Sequence, residues 1–140
     1  MKKLIVMAFL ATSLTACNAQ MNSKSQIMGA DTSQVALRSI QTRAFDTTDQ
    51  KKTLRTVIAT LQDLGFVIDK ADENLGTVSG TKLNGYALRM SVTVQPHGHK
   101  QTSVRANAQY NITAVEDPAP YQQFFTALEK AMFLTAQEVD

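Results

Sequence analysis

The stretch Tyr86-Ala87-Leu88-Arg89-Met90-Ser91-Val92-Thr93-Val94-Gln95 alternates apolar and more polar side chains over ten residues. A strand turns successive side chains to opposite faces. This period of two therefore predicts a β-strand that buries Tyr86, Leu88, Met90, Val92 and Val94 and presents Arg89, Ser91 and Thr93 on its other side. Asn84-Gly85 stands immediately before it, a dipeptide that tolerates the positive φ of a type I′ turn, so Thr77 to Leu83 is expected to form a hairpin with it. On the far side, Pro96-His97-Gly98-His99-Lys100 turns the chain into a second alternating run. There Thr102, Val104, Ala106, Ala108, Tyr110 and Ile112 share one face, and Ser103, Arg105, Asn107, Gln109, Asn111 and Thr113 share the other, which predicts one long strand. Phe66 to Lys70 reads as a shorter strand, reversed into Thr77 by the turn residues Asp72-Glu73-Asn74-Leu75-Gly76.

A sheet with one apolar face needs a cover, and two helical segments supply it. Leu54, Val57, Ile58, Leu61 and Leu64 lie at helical spacing on one stripe, with Arg55, Thr56, Gln62 and Asp63 facing away. Asp46-Thr47-Thr48-Asp49 provides the N-cap candidates, with Thr47 and Gln50 at capping-box spacing. Gly65 provides the left-handed residue that ends the helix, and Phe66 packs back on its last turn. The second helix starts at Pro118 behind Asp117, an N-cap followed by proline in the first turn, or two residues later at Pro120, and runs to about Gln137 with Tyr121, Phe124, Phe125, Leu128, Met132 and Thr135 on one stripe. Upstream, Val35 to Phe45 has extended character and is read as an edge strand, its alternation interrupted by Arg38, Gln41 and Arg43. The expected architecture is an α+β two-layer sandwich: an antiparallel sheet of about five strands with two helices on one face, in the order β-α-β-β-β-β-α.

The N-terminus has a different character. Lys2 and Lys3 precede an apolar run of 11 residues from Leu4 to Leu14, the layout of an export signal and too short to span a bilayer. The net charge of +2 belongs to those two lysines, since the remaining chain holds 12 basic and 12 acidic residues. A nucleic-acid binder, which needs a basic patch or stripe, is not expected. The single cysteine, Cys17, excludes an intramolecular disulfide framework. It follows Leu14-Thr15-Ala16, and the four residues together resemble the lipobox of bacterial lipoproteins. That resemblance implies cleavage before Cys17, a diacylglyceryl thioether on its sulfur and an acylated new amino terminus. Asn18 in place of aspartate after the cysteine implies sorting to the outer membrane. The segments are then 1–16 as lipoprotein signal, 17–34 as lipidated cysteine and tether, and 35–140 as a periplasm-facing domain. Nine of the seventeen residues from Asn18 to Gln34 are Asn, Gln, Ser or Thr, a composition that cannot repay the entropy of ordering.

The domain resembles, in topology, the helix-grip domains of some outer-membrane barrel-assembly lipoproteins. Arg38-Ser39-Ile40-Gln41-Thr42-Arg43 and Leu61-Gln62-Asp63-Leu64-Gly65-Phe66 resemble a group of small Gram-negative lipoproteins, a likeness that brings no activity or binding residue with it.

No catalytic constellation stands out. His97 and His99 share one turn that contributes no carboxylate, so neither a metal nor another cofactor is expected. Gly76 to Lys82 departs from a phosphate loop in spacing and lacks the closing Ser or Thr, and there is no Gly-x-Ser-x-Gly elbow. The candidate binding residues are Arg89, Arg105, Asn107 and Gln109 on the polar side of the sheet, where guanidinium groups suit carboxylates or phosphates. The expectation is a non-enzymatic, membrane-anchored accessory or scaffolding component of an envelope assembly. The alternative is a module that binds peptidoglycan or lipid through this face or through the groove between helices and sheet. An inhibitor of secreted enzymes is a weaker alternative, because small exported inhibitors often rely on disulfides.

Overall fold

The computed structural model describes the backbone of residues 34–137 and the side chains of residues 34–133. The export signal, Cys17 and nearly all of the expected tether lie outside the described residues. In chain order the elements are helix α1 (34–41), strand β1 (Thr42–Phe45), helix α2 (Gln50–Asp63), strands β2 (Val67–Asp72), β3 (Thr77–Leu83), β4 (Ala87–His97), β5 (Gln101–Tyr110) and β6 (Thr113–Ala114), and helix α3 (Pro118–Gln137). The sheet is antiparallel in the order β1-β5-β4-β3-β2, with β6 folded back on β5. The fold class is α+β, as expected from the two periods in the sequence.

The alternating runs place the core. Met90, Val92 and Val94 of β4 and Val104, Ala106 and Ala108 of β5 are all buried, and α2 and α3 close over them with Leu54, Val57, Leu61, Tyr121, Phe124, Phe125 and Leu128. Leu64 is the C-cap of α2. The Gly65 amide then donates to the Gln62 carbonyl and the Phe66 amide to the Leu61 carbonyl, so a Schellman motif ends the helix and carries Phe66 into the core.

Five expectations are corrected. The stretch from Val35 is not a strand throughout: residues 34–41 are helical, and only Thr42–Phe45 pairs with β5. Leu37, Ile40 and Gln41, at i, i+3 and i+4, are its shielded positions, a helical grouping that alternation divides between two faces. The helix also takes in Gln34, assigned above to the tether. Second, Thr47 and Gln50 do not form a capping box: of the four N-cap candidates Asp49 is the one used, its Oδ1 accepting from the Lys52 amide at 2.9 Å. The Thr47 hydroxyl instead accepts from the Asp49 amide ahead of the helix.

Third, Thr56 is buried together with Thr53 and Thr60. Each of these hydroxyls donates to the carbonyl four residues earlier, which satisfies it without a partner outside the helix. Fourth, Asn84-Gly85 does not form a two-residue type I′ turn. Gly85 has φ +75° but Asn84 has no positive φ, and Leu83 pairs with Ala87 across a three-residue connection that includes Tyr86. Tyr86 is therefore half exposed and not a core strand residue. Fifth, the last long strand stops at Tyr110. Asn111 takes φ +53° and reverses the chain so that Thr113 pairs with Tyr110, which leaves Ile112 at the tip, exposed and outside the core.

The Tyr121 hydroxyl ties four parts of the chain together. It accepts from the Gln41 side-chain amide (3.1 Å) and the Ala108 amide (3.1 Å), and it donates to the Val115 carbonyl (2.6 Å). These bonds satisfy β5 in the gap along its outer edge between β1 and β6. Arg43 adds a second tie, donating to the Ser39 carbonyl at the end of α1 while its guanidinium lies 5.2 Å from the centre of the Phe125 ring.

Candidate functional site

With α2 and α3 on one side, the other side of the sheet carries the residues of opposite parity. The register sets Arg89 across from Gln109, Ser91 from Asn107, Thr93 from Arg105 and Gln95 from Ser103, while Thr42 of β1 flanks Arg105 on its far side. The face is thus the polar field expected from the alternation.

Its four candidate residues do not form one site. Arg105 and Asn107 line a shallow groove of about 400 Å³ together with Thr42, Thr93, Gln95 and Ser103. Arg89 lies four residues further along β4 from the Arg105 level, about 13 Å at the rise of a strand. There it faces Gln109, outside the groove. Arg89 is also partly neutralised, its Nε lying 3.9 Å from Asp69 Oδ2, an oxygen that accepts from the Thr81 hydroxyl as well. Arg105 is exposed and has no ion-pair or hydrogen-bond partner among the described residues.

The groove therefore offers a single unneutralised guanidinium among hydroxyls and amides, with no carboxylate in its lining. That arrangement suits one carboxylate or phosphate group held bidentately, with neighbouring hydroxyls donating to its remaining oxygen. Thr42 and Gln95 were not picked out in the sequence. Only the register of β1 on β5 brings Thr42 to Arg105, and no local pattern encodes that pairing.

Elsewhere, a recess of about 250 Å³ lies where the sheet meets the start of α3, lined by Lys82, Asn84, Tyr86, Leu88, Tyr110, Asp117, Ala119, Pro120 and Gln123. The Tyr86 and Tyr110 rings meet edge to face there, with centres 4.8 Å apart. Partial burial, then the neighbouring Tyr86 hydroxyl and the charge of Asp117, raise the Tyr110 phenol above its ordinary value, so it remains neutral at physiological pH. Asp117 also caps α3, accepting from the Ala119 amide at 2.9 Å. His97 ends β4 and His99 sits in the following turn, both exposed. Among the described residues no three His, Cys, Asp or Glu side chains converge as metal ligands, and no helix is long and apolar enough to cross a membrane.

No protein-family model matches the chain, and no curated protein matches it either.

Proposed function

We propose that the chain is a lipid-anchored, non-enzymatic accessory protein of the outer membrane, whose α+β domain faces the periplasm and takes part in an envelope assembly. The observation that carries this reading is Leu14-Thr15-Ala16-Cys17 behind a dibasic start and an 11-residue apolar run, with the only cysteine of the chain at the position that lipidation needs. A single acyl chain anchors weakly, whereas two or more hold stably. Metabolic labelling with a fatty acid tests it. The unaltered protein is expected to take up label and fractionate with the outer membrane, and Cys17→Ser is expected to lose both properties. Label retained in Cys17→Ser overturns the anchor.

A second reading, recognition of a carboxylate or phosphate on cell-wall or lipid material, is favoured by the unpaired guanidinium in the groove. On this reading Arg105→Ala weakens retention on purified sacculi by about 10- to 100-fold, the worth of a charge-assisted hydrogen bond. Arg89→Ala, whose side chain already faces Asp69, is expected to leave retention nearly unchanged. Equal retention of Arg105→Ala and the unaltered protein counts against recognition through the groove.

A further inference from the structure

At the end of the sheet opposite the His97–Gln101 turn, two neighbouring connections bring large apolar side chains into solvent. Leu83 is 80% exposed, Ile112 is 93% exposed and Tyr86 is 49% exposed. They are close in space because Leu83 pairs with Ala87 while the Asn111 amide donates to the Ala87 carbonyl, so the β3–β4 and β5–β6 connections flank the same residue. A side chain as exposed as Ile112 at the tip of a tight turn does nothing for the core. Solitary exposed apolar residues are ordinary, but three gathered from two turns at one end of a small domain mark a contact surface.

We propose that this apolar end rests on the lipid surface to which the chain is anchored, holding the sheet end-on to the membrane and its polar groove clear of it. The proposal builds on the lipid-anchor reading above. A coil with the length of the 18–33 stretch would span about 20–25 Å, and a domain of this size has a radius of gyration of about 13 Å. Lipid is therefore always within reach at an effective concentration that makes even a small apolar contact productive. β1 begins opposite Arg105 and runs toward Thr102, away from the apolar end, and Gln41 just before it bonds the tyrosine hydroxyl that holds Ala108, which sets the end of α1 in the apolar half of the sheet. Lys82 and Asp117 both border the recess beside Tyr86, so the local charges offset each other. The occupant is accordingly the boundary between headgroups and acyl chains of zwitterionic lipid, where the half-exposed Tyr86 suits an interface wet on one side.

The chain contains no tryptophan, so one introduced indole reports its own surroundings. Acylated Ile112→Trp and His99→Trp proteins that run from Cys17 to the end of the chain, the second reporting from the opposite turn, are reconstituted into phosphatidylcholine vesicles with and without brominated acyl chains. The expected result is blue-shifted emission quenched by bromine for Ile112→Trp, and water-like, unquenched emission for His99→Trp. Adding Leu83→Ser to the Ile112→Trp protein is expected to lower the equilibrium constant for membrane contact about tenfold, the worth of one apolar side chain returned to water.

Equal, water-like emission from both reporters overturns the proposal. So does a blue shift that grows with protein concentration without lipid, which assigns the patch to a second copy of the chain. Failure of the anchor itself is read separately, by flotation of the unaltered and Cys17→Ser proteins with vesicles. If the two float alike, Ile112→Trp added to preformed vesicles still decides whether the apolar end meets lipid.

Discussion

Tyr121→Phe is expected to destabilise the domain by about 2–4 kcal/mol, although it removes one oxygen atom and leaves the ring in place. The hydroxyl is fully buried and serves three partners at once: the Gln41 amide, the Ala108 N–H and the Val115 carbonyl. Phenylalanine leaves all three without this partner. A buried polar group stripped of its partner costs about 1–3 kcal/mol, and Gln41, only 5% exposed, cannot easily turn to water. The effect is measured as a fall in urea midpoint at unchanged m-value. Amide exchange adds a local signature, because the Ala108 N–H should lose protection well beyond its neighbours on β5. Pairing Tyr121→Phe with Gln41→Leu completes the test. Removing the amide together with the hydroxyl that receives its bond should cost less than the sum of the two single changes. Strict additivity counts against the shared network.

A comparable loss, about 2–5 kcal/mol, is expected from Gly76→Ala at the turn between β2 and β3. Gly76 has φ +68°, a left-handed conformation that strains an L side chain, and a Cβ built on it would lie 2.4 Å from the Val94 carbonyl oxygen. The obstacle is backbone, so no rotamer relieves it. The approach is close because the Val94 amide donates to the Gly76 carbonyl at 2.7 Å, extending the pairing of β3 with β4 past Thr77. Alanine must open that ladder or distort the turn held by Asp72, whose Oδ1 accepts from the Asn74 and Leu75 amides. Gly85→Ala separates the two components. Its φ is +75°, but a Cβ there meets nothing within 4 Å, so it should carry only the conformational strain, about 1–2 kcal/mol. At about 4–8 °C per kcal/mol for a domain near this size, the difference is plain in thermal unfolding. Equal melting temperatures for the two variants would refute the steric account.

The two faces of the sheet were legible because strand alternation is local and unambiguous: Met90, Val92 and Val94 against Arg89, Ser91 and Thr93. Helix α2 was legible for the same reason, its stripe ended by Gly65 in a position that needs a left-handed residue. The misreadings lie where two local patterns compete. Leu37, Ile40 and Gln41 fit a helix, yet the extended Thr42–Phe45 follows directly, and the boundary between them is set by the pairing of β1 with β5. Thr56, being polar and off the apolar stripe, reads as outward-facing, but a hydroxyl that bonds its own helix carbonyl can be buried. Asn111, like Asn84, tolerates positive φ. Only Asn111 adopts it, because the three-residue connection after Leu83 removes that need from Asn84.

For the candidate site, alternation put Arg89, Arg105, Asn107 and Gln109 on one face without setting the distances between them. A residue's side of a strand depends on its own neighbours, whereas its level in the sheet depends on which strand pairs with it and in what register. That is why the class of fold, the apolar and polar faces and the candidate lipidation motif at Cys17 could be read from the order of residues alone. The separation of Arg105 from Arg89, the arrival of Thr42 beside Arg105, the union of four segments at the Tyr121 hydroxyl and the gathering of Leu83, Tyr86 and Ile112 at one end depend on contacts between residues distant in the chain. No local period records those contacts, and only the packed sheet and helices bring them about.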